Sequence, residues 1–275
     1  MTRFCSASTL VDRKKTFIAR FDLSTNPTGR FSNRAEAYAL SRPDYPVSVL
    51  GLLQERAGMK PGSTIADLGS GTGILTELLL KAGNRVYGVE PNAAMRKIAE
   101  EKLVGHQGFI SVEGRGEASG LEDNSVDLIT VAQAFHWFDL AECRREFKRI
   151  LKQNGSVVLL WNFRKEDEPF VRDYEGMLFE FSLDYSAVRE SYPTREKLRP
   201  FYGSDDFYFT KIPNPQVCDL ERLRQLLISS SYLPAPGHPR HEPMMGRLEE
   251  VFERHAQNGA VTLMYETCVY MGVIR

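Results

Sequence analysis

The chain has 275 residues, 42% of them hydrophobic, with 35 Lys and Arg against 36 Asp and Glu for a formal net charge of −1. That length supports one large α/β domain or a domain with an appended lobe, and the balanced charge argues against nucleic acid as a partner. Cys5, Cys143, Cys218 and Cys268 include no C-x-x-C pair, and no apolar run approaches the ~20 residues of a membrane span, so a cytoplasmic protein with reduced thiols, no metal and no membrane partner is expected.

Residues 1–30 mix Arg, Lys, Ser and Thr with Asp12 and Asp22, lack a signal-peptide core, and read as an irregular arm. Pro46 opens a helix through Val49, Leu50, Leu52 and Leu53. Thr64 to Leu68 is a first strand, followed by a glycine-rich turn and a helix from Thr72 to Ala82. Arg85 to Val89 is a second strand, and a helix beginning at Pro91 carries Met95, Ile98 and Leu103. Phe109 to Val112 and Val126 to Val131 read as strands three and four. Asp139 caps a helix through Phe147 and Ile150, and Gly155 opens a fifth strand, Ser156 to Trp161. Beyond the charged break at Glu166 to Pro169 lies an aromatic helix with Tyr174, Phe179, Phe181 and Tyr185. Phe207 to Ile212 then alternates as a strand, Leu220 to Leu227 as a helix and Val261 to Met271 as a long last strand. Alternating strands and helices imply a doubly wound, Rossmann-like α/β sheet, mostly parallel, with an antiparallel last strand. Four parts follow: the arm at 1–30, a binding core with a helical cap at 31–165, a helical insertion or lid at 166–201, and a closing part at 202–275.

The turn Asp67-Leu-Gly-Ser-Gly-Thr-Gly73 carries the chemistry. Glycines there let backbone pass close beneath a ligand. Glu90, 21 positions beyond Gly69, ends the second strand, where an acid holds a ribose diol. The ligand is therefore a nucleoside-type cofactor. The dinucleotide fingerprint G-x-G-x-x-G/A fails here because the third glycine comes one position early and Ile74 stands where Gly or Ala is wanted. No G-K-[ST] follows, so a phosphate-cradling lysine is absent as well.

This pattern resembles the first motif of the class I S-adenosylmethionine-dependent methyltransferases. The resemblance implies S-adenosyl-L-methionine as cofactor, with Asp67 near its methionine end and Glu90 on both ribose hydroxyls. Gly69, Ser70, Gly71, Gly73, Pro91 and Met95 are further expected cofactor contacts. Other segments look like one branch of the family, the type-11 enzymes similar to trans-aconitate and ubiquinone-pathway methyltransferases. Phe31 to Pro46 is similar to a helical cap that folds over the cofactor, so Tyr38 and Arg42 are expected at the cofactor and Tyr45 at the substrate. Gly114-Arg-Gly-Glu117 falls where family members place an acid for the adenine amino group. Here Arg115-Gly116 replaces the usual acid-small pair, leaving Gly116 and Glu117 as the expected contacts.

Ala132-Gln-Ala-Phe-His-Trp-Phe-Asp139 follows strand four and borders the transferable methyl group in that fold. It lacks the Asn/Asp-Pro-Pro-Tyr/Phe signature of enzymes that methylate bases or glutamine. Ala132 and Gln133 are expected at the cofactor, Phe135 and Trp137 at the substrate, and His136 as a catalytic group. Trp161-Asn-Phe-Arg164, Ser229 to Tyr232 and Gly237-His-Pro-Arg240 resemble substrate-side stretches. Arg164, Tyr232, His238 and Arg240 either meet an anionic acceptor or form a surface capping network. The expected activity is metal-independent O- or C-methylation of a small molecule, a carboxylate among the options, by a monomer or homodimer. A carboxylate acceptor needs no base, whereas a hydroxyl or activated carbon gives His136 that role. A non-catalytic S-adenosylmethionine-binding protein and a nicotinamide-dependent oxidoreductase stand as alternatives.

Overall fold

A computed structural model describes residues 34–275; the arm expected at 1–30 lies outside the described residues. Seven strands form one sheet: β1 (Thr64–Leu68), β2 (Arg85–Val89), β3 (Phe109–Val112), β4 (Val126–Ala132), β5 (Leu151–Arg164), β6 (Tyr208–Cys218) and β7 (Val261–Gly272). Their order is β3-β2-β1-β4-β5-β7-β6. The first five run parallel, and β7 lies antiparallel between β5 and β6. The order reverses at β1, which pairs with both β2 and β4. A ligand crevice belongs at the carboxyl ends of strands flanking such a switch point.

The strands are apolar on both faces because helices cover both. Ile65, Val86, Leu128, Val158 and Leu160 pack under α2 (Ser48–Ala57), α3 (Ile74–Lys81) and α4 (Ala93–Leu103). Their neighbours Ala66, Val89, Ile129, Val157 and Leu159 face α5 (Leu140–Ile150) and α8 (Arg195–Tyr202). A third core sits beyond the strand ends. It joins α6 (Pro169–Phe181), α7 (Tyr185–Glu190), α9 (Leu220–Ser229) and α10 (His241–His255) to Leu263 and Tyr265 of β7. The cap helix α1 (Ala35–Ser41) is bound to this third core through Arg34. The Arg34 guanidinium donates to the carbonyls of Ile228 (3.2 Å), Ser230 and Leu233 (3.2 Å) at the end of α9, the favourable place for a cation on a helix.

Several boundaries differ from expectation. The fourth helix starts at Ala93 and not at Pro91, because the Asn92 side chain caps it, accepting from the amides of Ala94 and Met95. Strand β5 begins at Leu151, where it already pairs with Val126. Strand β6 runs to Cys218, past Pro213 and Pro215. It is the edge strand, so a residue without an N–H costs no ladder bond there. The expected aromatic helix breaks at 182–184 into α6 and α7. The last helix of the 166–201 insertion, α8, leaves the cleft and packs through Leu198 and Phe201 beside α5. Helix α10 was not expected, since Pro243 and Gly246 mask the apolar spacing of Met244, Leu248, Val251 and Phe252. Among the described residues no helix is long and apolar enough to cross a membrane, and no His, Cys, Asp and Glu group is arranged to hold a metal.

Candidate functional site

Two adjoining chambers open above the carboxyl ends of β1, β2, β4 and β5, with volumes of about 270 and 170 Å³. They share Tyr38, Gly69, Gly71, Ala132, Gln133 and Trp137, and so form one cleft.

The smaller chamber joins the glycine loop to the side chains of Glu90, Met95, Glu117 and Phe138. After Leu68 the chain folds over the end of β2, where the amides of Gly69 and Ser70 donate to the Val89 carbonyl at 2.8 and 3.2 Å. Gly69 has φ +70°, and a Cβ there would stand 2.6 Å from the Ala134 Cβ, so glycine is required on both counts. Gly116 on the opposite rim leaves room for the Phe138 ring, which a Cβ would meet at 2.6 Å. Glu90 joins the loop to α4: its carboxylate accepts from the amides of Gly71 (3.0 Å) and Asn92 (2.8 Å). Burial outweighs these two bonds and raises its pKa. Each Glu90 oxygen keeps an acceptor position beyond the one its amide uses.

The larger chamber begins at Asp67, whose oxygens accept from the hydroxyls of Thr76 (2.6 Å) and Thr130 (2.9 Å). Desolvation nevertheless lifts its pKa to about 6. Gln133, at the tip of β4, holds the left-handed region at φ +57°, a conformation with a real cost for a side-chain-bearing residue. Its amide donates to the Leu160 carbonyl at 2.9 Å and its side chain to that of Asn162 at 3.3 Å. Three residues that line the chamber each hold a buried polar atom with no hydrogen-bond partner: Arg42 Nε, Thr72 Oγ1 and His136 Nδ1. Burial pushes the His136 pKa down to about 4, so its imidazole is neutral at physiological pH, with its ring 4.8 Å from that of Trp137. Arg42 is anchored by a 3.1 Å bond to the Ser229 carbonyl and lies 4.7 Å over the Tyr38 ring.

The far wall comes from β5, α6 and α7. Arg164 binds Glu175 and donates to the Tyr185 hydroxyl at 2.7 Å, and that hydroxyl donates to Glu175 at 2.8 Å. Arg189 bridges Glu175 at 3.3 Å and Glu166 at 2.5 Å. Tyr185 stacks on Tyr232 with centroids 4.6 Å apart, and Tyr192 meets Phe163 at 4.9 Å.

Of the residues singled out from the sequence, Tyr38, Arg42, Tyr45, Asp67, Gly69, Ser70, Gly71, Ala132, Gln133, His136, Trp137, Arg164 and Tyr232 line the larger chamber or its junction with the smaller. Glu90, Pro91, Met95, Gly116 and Glu117 line the smaller one. Glu117 also accepts from the Asp139 amide at 2.9 Å. Gly73 lies outside the cleft, beneath the side chain of Leu103, where a Cβ would come within 2.9 Å. Phe135 is also outside it: the short 3₁₀ turn Phe135–Trp137 points this ring into the core, edge-on to Phe138, Trp161 and Phe201. Arg164 borders the cleft, but its charge is committed to Glu175 and is not free for an anion. His238 and Arg240 form the surface network: the Arg240 amide donates to His238 Nδ1 at 3.1 Å, and its side chain binds the Glu180 carbonyl. Sequence reasoning passed over Glu175, Arg189, Tyr192 and Tyr265, which line the larger chamber. The charged and aromatic residues of 166–192 were visible, but their convergence depends on the break between α6 and α7.

A family model described as "Methyltransferase domain" matches residues 66–159. An uncharacterised methyltransferase of Schizosaccharomyces pombe is 30% identical over 230 residues, covering 80% of this chain and 87% of that one. A second, of Mycobacterium bovis, is 30% identical over 216 residues, covering 72% and 85% respectively. The solved structure of a protein assigned as a type II methyltransferase from Anaeromyxobacter dehalogenans has the same fold, with a TM-score of 0.59 at 20% identity over 85% of this chain and 98% of that one.

Proposed function

The chain belongs to the class I S-adenosylmethionine-dependent methyltransferases, and from that premise we propose that the cleft moves a methyl group from this cofactor to a small-molecule acceptor. S-adenosylmethionine supplies an electrophilic methyl on a sulfonium: an acceptor lone pair bonds the methyl carbon while the carbon–sulfur pair stays on sulfur, leaving neutral S-adenosylhomocysteine.

The residues suit that cofactor. Glu90, held by two backbone amides, offers its remaining acceptor positions to a ribose diol. Pro91, Met95, Gly116, Glu117 and Phe138 enclose a flat base. Toward the larger chamber, Arg42 Nε and Thr72 Oγ1 are buried without partners beside the glycine loop, which fits a carboxylate such as the one at the cofactor's methionine end. Asp67 places an ionisable carboxyl on the same wall, suited to a positive charge. This pairing of a held acid with orphaned donors across one glycine loop is the observation that carries the reading.

On the acceptor side, Tyr45, Trp137, Tyr232 and the α6–α7 wall exclude water and orient the nucleophile. Such positioning can lower a displacement barrier by ~7–11 kcal/mol. His136, with a pKa of about 4, is a weak base and serves through Nδ1 as a hydrogen-bonding group for the acceptor. Thermal shift with S-adenosylmethionine, S-adenosylhomocysteine, NAD and ATP tests the cofactor. A ligand at a hundred times its dissociation constant adds ~2.7 kcal/mol, and stabilisation by NAD alone overturns the assignment. Transfer of labelled methyl to a metabolite panel tests turnover.

A further inference from the structure

We propose, on the basis of the methyltransferase reading, that Arg189 selects the acceptor and that the acceptor is a flat small molecule bearing one carboxylate-type negative charge. In the larger chamber Arg42, Arg164 and Arg189 face Asp67, Glu166 and Glu175, and in the smaller Arg115 faces Glu90 and Glu117. The one excess acid matches the net positive charge of S-adenosylmethionine, so a charge brought by the acceptor has to find its own partner on the wall.

Local geometry decides which cation meets an anionic acceptor. Arg42 is fixed at the cap, on Ser229 and over Tyr38. The side chains of Arg164 and Glu175 are only 11% and 6% exposed, and they are bound to each other, so exchange there strands a buried charge. Arg189 is 33% exposed, and its partner Glu166 is 47% exposed. Ion pairs this accessible hold weakly, so Glu166 can turn to solvent while an incoming carboxylate takes its place on the guanidinium. The Arg189 side chain stays at the wall through Glu175 at 3.3 Å and the ring of Phe179 at 5.4 Å. The chamber walls settle the body of the acceptor. Tyr185 stacked on Tyr232 at 22° and the Phe163–Tyr192 pair present aromatic faces, with Tyr45 and Trp137 nearby. These surfaces accept a planar skeleton.

Calorimetry on the full chain tests this with benzoate, 4-hydroxybenzoate and trans-cinnamate against the matching carboxamides. The protein is first loaded with S-adenosylhomocysteine or with sinefungin, which carries an amine cation where the sulfonium would stand. Expected for the unmodified protein is at least tenfold tighter binding of a carboxylate than of its amide, with the preference about threefold larger under sinefungin. Arg189→Gln reduces the preference to within twofold. Glu166→Gln, which frees Arg189, tightens carboxylate binding several-fold, an effect in the opposite direction that a merely structural role would not produce. Amides binding as well as acids, a preference that survives Arg189→Gln, no binding by any of the carboxylates, or weaker binding in Glu166→Gln each overturns the proposal. Failure of both S-adenosylhomocysteine and sinefungin to bind the unmodified protein instead defeats the underlying methyltransferase reading, so the two failures are distinct.

Discussion

The two chambers of the cleft are built by different means. The smaller is shaped by backbone at three points: a glycine loop folded over the end of β2, a rim at Gly116, and one carboxylate held by two amides. The larger is made by side chains drawn from β5, α6, α7, β7, the turn after α9 and the cap, locked by Arg164, Glu175, Tyr185 and Arg189. Backbone constraints of that kind tolerate little change in shape. A side-chain-built site can be re-lined without disturbing the sheet. The division also implies that the halves fail independently.

Glu175→Ala should break the comparison at its strongest point. It leaves the Arg164 guanidinium buried with no carboxylate, which typically costs about 3–5 kcal/mol. Urea denaturation should show a loss of that size, while S-adenosylhomocysteine still raises the melting temperature of the folded fraction. Loss of cofactor binding together with stability would show that the halves are not separable. Glu90→Ala is the converse case. It removes a charged acceptor from the amides of Gly71 and Asn92 as well as from the ligand. Affinity for S-adenosylhomocysteine should fall about a hundredfold, ~2.7 kcal/mol, with little change in the stability of the empty protein. A Glu90→Ala protein that binds within threefold of the original would remove the acid from the site.

Gly116→Ala sharpens the contrast at smaller scale. Its methyl group would collide with Phe138 at 2.6 Å and drive the ring into the smaller chamber. Overpacking of this kind costs about 1–3 kcal/mol, and calorimetry should find cofactor affinity down about tenfold with acceptor-side probes unaffected.

The same division explains what the sequence made legible. The smaller chamber lies on contiguous motifs: Gly69 to Gly71, Glu90 with its neighbours, and Gly116-Glu117, each on one strand end and its loop. Parallel-strand periodicity sufficed to bring those loops to one edge of the sheet. The larger chamber depends on long-range packing. Arg164 reads as an exposed strand-end cation until Glu175, eleven residues later, turns back beneath it. Arg189 reaches the wall only because residues 182–184 interrupt the helix. Phe135 and Trp137 sit two apart in one motif, yet the 3₁₀ turn sends the first into the core and leaves the second in the cleft. No local pattern distinguishes them.

Two groups on the wall of the larger chamber, Asp67 and His136, should also oppose each other in pH dependence. Asp67, raised by burial from 3.8 to about 6, favours the folded state when protonated. Its stabilising contribution is complete below pH 3.8 and is lost as pH rises through 6. His136, lowered by burial from 6.5 to about 4, favours the folded state when neutral. Its contribution is complete above pH 6.5 and is lost as pH falls through 4. Between pH 4 and 6 the native Asp67 holds a proton that the unfolded chain has released, and the native His136 lacks one that the unfolded chain has bound. A single such group changes stability by about 1.4 kcal/mol per pH unit at most, and here the two slopes have opposite sign and nearly cancel. Removing either exposes the other. In the ligand-free protein, His136→Gln should lose stability by about 1 kcal/mol per unit, relative to the unmodified chain, as pH rises from 4.5 to 6. Asp67→Asn should gain a similar amount over the same interval. All other titrating groups are common to the three proteins and drop out of these differences. Urea midpoints at pH 4.5, 5.25 and 6 decide the matter: three parallel stability curves would mean that neither group is as deeply desolvated as the cleft geometry requires.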